Sequence, residues 1–204
     1  MLPVYAELYC QSAFSFGVGA SQPEELVRTA HALGYRALAI TDECSLAGSV
    51  RAYLEWMELK QGEEFSHPAS LHLITGASFK LDGHVLILLA QSREGYGALT
   101  ALITVARQRK GKGEYRLELD DLKSLVDCFA IIVPCLSDTP AVATTTPAKR
   151  VNPLFAKPVT ADELIASVKH LSPCLGYSRL LTSTDALRFS ETVELATQHE
   201  LSIT

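Results

Sequence analysis

Two adjacent carboxylates, Asp42 and Glu43, could take part in chemistry because they directly follow a short apolar run, residues 37–41, that is typical of a buried strand. In parallel α/β folds, ligands bind at the carboxyl ends of the strands. A carboxylate at that place can hold a metal ion or act as a general base. It can equally cap the next helix or accept hydrogen bonds from loop amides, and the local sequence alone favours this structural role.

A histidine and a cysteine beside two further apolar runs are the other candidate metal ligands. His84 opens the run 84–90, and Cys135 follows the run 129–133. Imidazole and thiolate both suit zinc, but a hydrogen-bonded strand histidine and a buried free thiol are the commoner cases. The five cysteines are scattered without a CxxC, so neither a zinc finger nor a disulfide framework is expected.

A basic stretch within ten residues is a candidate contact for the phosphates of DNA. Its five cations are Arg107, Arg109, Lys110, Lys112 and Arg116. Gly111 and Gly113 lie between them and loosen the backbone. The alternative is a solvated helix end, whose dipole favours cations. The net charge of −5 argues against a protein that binds nucleic acid mainly through its overall charge.

Short apolar runs alternate with amphipathic segments along most of the chain, and these elements must position the candidate residues. The pattern predicts strands over residues 4–8, 37–41, 71–75, 79–81, 84–90 and 129–133. It predicts a helix over residues 45–60 with Leu46, Val50, Leu54 and Met57 as its buried stripe. Strands that alternate with helices in this way indicate an α/β domain with buried parallel strands.

Length and composition indicate one soluble domain, because 204 residues with 48% hydrophobic side chains can form a sizeable core. We predict a βα core over residues 1–136, a Pro/Thr-rich loop or linker over 137–160, and a C-terminal βα remainder of the same domain over 161–204. No signal-type or membrane-spanning run occurs, so a cytoplasmic chain without membrane contact is expected. The sequence ends inside a predicted strand, and an exposed sheet edge there would allow dimerisation.

Several stretches of the chain together carry a family resemblance. They are YAELYCQSAFSF (5–16), GASQPEEL (19–26), LGYRALAITDECSLAG (33–48), GASFKL (76–81) and HVLILLAQSREGYGALTALITVARQRKGKGEYRLELDDL (84–122). They resemble the PHP (polymerase and histidinol phosphatase) domain of bacterial family C DNA polymerases, and most closely the error-prone branch of the DNA polymerase III alpha subunits. The similarity is nearly gapless over about residues 4–135.

The resemblance implies a PHP-type distorted (βα)7 barrel, here incomplete at the C-terminus, with up to three metal ions at the strand ends for phosphoester hydrolysis. Asp42, His84 and Cys135 match ligand positions of the family, and Glu43 stands where the family has a histidine. The other ligand positions in this part of the chain carry side chains that do not suit the role. They are Tyr9, Gln11, Val18 and Ser78.

A multinuclear metal site needs several anionic or imidazole ligands in fixed geometry, and this set supplies few of them. We therefore expect no working hydrolytic cluster and at most one weakly bound divalent ion, Zn²⁺, Mn²⁺ or Mg²⁺. The resulting interpretation is a structural or interaction module in DNA synthesis or repair. Its expected partners are the remainder of a polymerase or other replication and repair proteins, with DNA as a further candidate.

Two other functions stay open from the sequence. One is a metal-dependent phosphoesterase, either a 3′–5′ exonuclease or a hydrolase of small phosphate esters, that uses Asp42, Glu43, His84 and Cys135. The other is a free-standing adaptor that binds a partner protein through residues 137–160.

Overall fold

The computed structural model describes residues 5–62, 71–135, 158–178 and 184–204, which form an α/β fold around one six-stranded sheet. The strands are β1 (Ala6–Cys10), β2 (Ala37–Ile40), β3 (His72–Leu81), β4 (His84–Ala90), β5 (Cys128–Val133) and β6 (Cys174–Leu175). The helices are α1 (Pro23–Ala32), α2 (Ala47–Gly62), α3 (Arg93–Gln108), α4 (Leu119–Leu122), α5 (Ala161–Val168) and α6 (Asp185–His199). The sheet curls as half of a barrel, which confirms the predicted incomplete PHP-type fold.

The strands follow one another across the sheet in chain order, but the sheet is mixed and not wholly parallel. β3 pairs in parallel with β2 through its first half and antiparallel with β4 through its second half. The two strands predicted at 71–75 and 79–81 are therefore one continuous strand. Gly76 lies where the partner changes, and a Cβ there would stand 2.7 Å from the carbonyl oxygen of Leu88. A turn at Asp82 and Gly83, both with positive φ, closes the β3–β4 hairpin.

The largest hydrophobic cluster lies between the sheet and helices α3 to α6, and it joins distant parts of the chain. Phe79 of β3 and Leu86 of β4 are fully buried in it, together with Leu164 of α5. Ala196 of α6 belongs to the same cluster. The segment predicted as a C-terminal remainder thus shares its core with β3, β4 and β5. Most of the predicted 137–160 loop, residues 137–157, lies outside the described residues.

The packing face predicted for α2 is wrong. Val50 and Leu54 of the predicted stripe are 65% and 58% exposed. The helix instead packs through Ala52, Trp56 and Leu59 into a cluster with α1 and β2. Both faces of this helix carry apolar residues at helical spacing, so periodicity alone could not choose between them.

β1 is an edge strand whose outer backbone is partly covered by its own side chain. The Glu7 carboxylate accepts a hydrogen bond from the backbone N–H of Tyr9 at 3.0 Å and another from the Tyr5 hydroxyl at 2.8 Å. The pairing with β2 is irregular at the same place, between Glu7 and Cys10. Within the described residues, no helix is both long enough and apolar enough to cross a membrane.

Two glycines of α3 give a matched test of its packing. In Gly95→Ala, the new methyl would overlap the Asp127 carbonyl, because α3 begins against the turn that precedes β5. We expect the free energy of unfolding to fall by about 2–3 kcal/mol, measured by urea denaturation. In Gly97→Ala nothing lies within 4 Å of the new Cβ. Its stability should therefore stay equal or rise by about 0.5–1 kcal/mol through helix propensity, and equal losses in the two variants would contradict this packing.

Candidate functional site

Asp42 lies two residues after the end of β2, with its side chain fully buried, and it holds the loop that follows β1. Its Oδ1 accepts hydrogen bonds from the backbone N–H of Ser12 at 2.8 Å and from the Ser15 hydroxyl at 2.7 Å. Its Oδ2 accepts from the Ser12 hydroxyl at 2.7 Å. Both oxygens are therefore occupied by donors from one loop, in the structural role that the local sequence favours.

The first turn of α2 approaches the same carboxylate closely. A Cβ on Gly48 would lie 2.6 Å from Oδ2 of Asp42 and 3.0 Å from the Ser12 hydroxyl. Only glycine leaves room for this contact. The amino end of a helix carries a partial positive charge, which stabilises the buried carboxylate.

Glu43 forms an ion pair with Lys80 of β3. Its Oε2 accepts a hydrogen bond from the Lys80 ammonium at 2.7 Å, and its Oε1 accepts from the Tyr115 hydroxyl at 3.0 Å. The Tyr115 oxygen in turn accepts from the backbone N–H of Lys80 at 2.8 Å. Burial, and then the negative charge of Glu43, raise the pKa of Tyr115, so its hydroxyl stays neutral and donates.

Tyr9, Gln11 and Ser78 meet beside this ion pair. The Ser78 hydroxyl donates to the carbonyl of Thr41 at 2.9 Å and accepts from the Gln11 amide at 3.2 Å. The Tyr9 side chain lies beside Ser78, and burial, and then Glu43, raise the Tyr9 pKa. The structure thus brings together three of the positions where the resemblance expects metal ligands, and a hydrogen bond joins two of them, Gln11 and Ser78. The fourth, Val18, is 51% exposed on the loop.

The ring of His84 is held by two backbone groups. Its Nδ1 accepts from the N–H of Cys135 at 2.9 Å, so the proton of the neutral ring lies on Nε2, which donates to the carbonyl of Val159 at 3.2 Å. The Asp82 carboxylate accepts from the N–H of Val159 at 2.7 Å. His84 therefore joins the chain before and after residues 136–157 and leaves neither ring nitrogen for a metal. The Cys135 thiol is exposed beside Gly83.

Two of the five basic residues are committed to contacts within the domain. Arg107 donates to the carbonyls of Glu43 and Cys44, and Arg109 forms a two-pronged ion pair with Asp121. Arg116 forms an ion pair with Glu118 at the surface. The two remaining cations, Lys110 and Lys112, are exposed and form no ion pair within the described part of the chain. Contact of this stretch with DNA stays a prediction.

Sequence reasoning missed Lys80 and Tyr115, which complete the cluster around Glu43. One signal was available for Lys80. Because side chains alternate along a strand, Lys80 and Ser78 share a face of β3. No comparable local signal marks Tyr115, because it reaches Glu43 from 72 residues away along the chain.

The sequence of residues 7–145 matches the family model of the PHP domain. The chain belongs to the PHP domain family. This confirms the resemblance on which the predicted ligand positions rest.

Relatives of this PHP domain are named error-prone DNA polymerase. The one from Bordetella parapertussis (strain 12822) is 50% identical over 150 residues, covering 66% of this chain and 13% of that protein. The one from Azoarcus sp. (strain BH72) is 47% identical over 154 residues, covering 65% of this chain and 14% of that protein. The chain therefore spans only a small part of the length of these relatives.

A crystal structure of a protein from Bifidobacterium adolescentis has the same fold. It superimposes with a TM-score of 0.62 over 98% of this chain and 86% of that one, at 13% sequence identity. That protein is proposed to be a metal-dependent phosphoesterase. At this level of identity the similarity concerns the fold alone.

The side chains described around Glu43 do not fit a multinuclear metal site. Within the described ranges, no group of three or more His, Cys, Asp and Glu side chains could hold a metal ion. His84 lies opposite Leu81 at the hairpin end of β3, three residues from Ser78 in the ladder. That separation is about 10 Å along the strand. Glu43 is already ion-paired, and Asp42 has no free oxygen.

Replacing Asp42 tests whether its carboxylate holds the loop. In Asp42→Asn an NH2 group replaces one carboxylate oxygen, so a hydrogen-bond donor faces the donors of Ser12 or Ser15. We expect the free energy of unfolding to fall by about 3 kcal/mol, measured by urea denaturation. Asp120→Asn is the control, because the Asp120 side chain is 85% exposed and its ion pair should contribute less than about 0.5 kcal/mol. Similar losses in the two variants would contradict the proposed role of Asp42.

The burial of His84 predicts a pH dependence of stability. Burial lowers the His84 pKa, against smaller opposing effects of the Val159 carbonyl and Asp82. The unfolded chain then binds this proton more readily than the folded one, so stability falls as pH drops below about 6.5 towards the lowered value. Urea unfolding between about pH 7.5 and 5 should show a slope of up to about 1.4 kcal/mol per pH unit from this group. His84→Gln should remove that contribution, and an unchanged slope in the variant would contradict it.

Proposed function

We propose that this chain is a PHP domain with a degenerate metal site, acting as a structural and interaction module in DNA synthesis or repair by an error-prone type of DNA polymerase. One observation carries the proposal. At the place of the family's metal ligands, Gln11 is hydrogen-bonded to Ser78, the neutral Tyr9 lies beside them, and Glu43 is ion-paired with Lys80. These polar groups have partners within the protein.

The chemistry of hydrolysis also disfavours activity in this pocket. Metal-dependent phosphoesterases use the ion to lower the pKa of a bound water and to stabilise the charge that develops on phosphate. Tyrosine, glutamine and serine are neutral here, and the raised pKa of Tyr9 opposes the anionic form that could bind a metal. A single carboxylate paired with an ammonium cannot replace the lost ligands.

The relatives support the larger setting of the proposal. They are polymerases of which this chain covers 13–14%, so we infer that it acts together with the remainder of such a polymerase or with other repair proteins. Lys110, Lys112 and Arg116 are the cations that could face DNA phosphates. Free thiols at all five cysteines suit a reducing compartment, and we infer a cytoplasmic location.

An assay of the purified chain tests the proposal directly. With millimolar Mn²⁺ or Zn²⁺, we expect no hydrolysis of p-nitrophenyl phosphate, or of single-stranded DNA from its 3′ end, above a protein-free blank. Elemental analysis should find far less than one metal ion per chain. Turnover that Glu43→Gln abolishes while the variant stays folded would contradict the proposal and favour the alternative, a metal-dependent phosphoesterase.

A further inference from the structure

A carboxylate and an ammonium lie where the fold would otherwise bring ligands around a metal ion. The side chains of Glu43 and Lys80 are 24% and 30% exposed, so both are largely withdrawn from water. Tyr9 and Tyr115 contribute only neutral hydroxyl groups to this region. Lys80 therefore supplies the positive charge that directly contacts the Glu43 carboxylate.

We propose that the Lys80 ammonium is the resident cation of this pocket, neutralising Glu43 and excluding a divalent ion from it. The inference rests on the proposed non-hydrolytic function and deepens it. A metal ion would have to bind the oxygens of Glu43 while an ammonium lies 2.7 Å from one of them. Two cations on one carboxylate repel each other strongly in a partly dry site.

Backbone pairing holds the positions of Lys80 and Glu43 relative to each other. Ser78 forms a parallel bridge with Glu43, and its carbonyl accepts from the N–H of Cys44 at 2.8 Å. Lys80 follows on the same face of β3 and pairs with Val85 of β4. The strand that holds Lys80 is thus hydrogen-bonded to the turn that holds Glu43, so the ion pair needs little rearrangement to form.

The other charged side chains nearby, Asp42 and Arg107, have partners other than Lys80 and the Glu43 carboxylate. The Asp42 carboxylate contacts Ser12, Ser15 and the first turn of α2, and it forms no ion pair with Lys80 among the described residues. The guanidinium of Arg107 contacts backbone carbonyls of Glu43 and Cys44, not the Glu43 carboxylate. Lys80 is accordingly the side chain whose removal should leave a carboxylate available to a metal ion.

Zn²⁺ binding to variants of the full chain tests this role. Tyr9→His and Gln11→His together place two imidazoles beside Ser78. The two imidazoles and the Glu43 carboxylate then make a donor set that suits Zn²⁺. In this background, calorimetry should show that adding Lys80→Met tightens the dissociation constant for Zn²⁺ at least tenfold. Adding Lys80→Arg, which keeps the charge, or Lys112→Met, which removes an exposed charge elsewhere, should not tighten it. Equal Zn²⁺ affinity with and without Lys80→Met would overturn the proposal.

A second measurement needs no added histidines and decides the matter if those variants do not fold. Lys80→Met alone should lower the melting temperature by several degrees, because it leaves Glu43 without its cation. Glu43→Gln combined with Lys80→Met should recover more than half of that loss, and Lys80→Arg should retain most of the stability. Additive losses in the double variant would overturn the proposal. Phosphoesterase turnover by the wild-type chain would instead overturn the proposed function, so the two failures are distinguishable.

Discussion

The burial of one negative charge, on Asp42, constrains the surrounding architecture. A carboxylate removed from water must find donors within the protein, and the loop after β1 supplies all three of those described, through Ser12 and Ser15. The same carboxylate requires glycine at position 48, because α2 starts in contact with it. The loop, the end of β2 and the first turn of α2 are therefore fixed by one group, and the neighbouring Glu43 takes its place from that arrangement.

The pocket beside Asp42 is stabilised by contacts that metal ligands cannot make at the same time. The Gln11 amide donates to the Ser78 hydroxyl, which donates to the Thr41 carbonyl, and the charge of Glu43 is compensated by the Lys80 ammonium on the adjacent strand. Under the proposed function, internal hydrogen bonds and one ion pair stand in for bonds to metal, so a site without catalysis need not cost folding stability.

Local signals in the sequence predicted the parts of the fold that depend on near neighbours. The strands predicted at 84–90 and 129–133 are present as β4 and β5, because a continuous apolar run is itself a local signal for a buried strand. The packing face of α2 and the ion pair of Glu43 with Lys80 depend on partners that lie far away in the chain. The site positions could be located through the family resemblance, but the contacts that now occupy them could not.

The acidic side chain on the edge strand β1 has a consequence for assembly. Since Glu7 already accepts the N–H of Tyr9, another strand that approached this edge would meet a negative charge and one fewer free donor. A strand that displaces the Glu7 carboxylate, or that brings a cation to it, would be better suited to extend the sheet at β1. At the described edge of β1, the carboxylate therefore disfavours pairing with the same edge of a second copy of this chain.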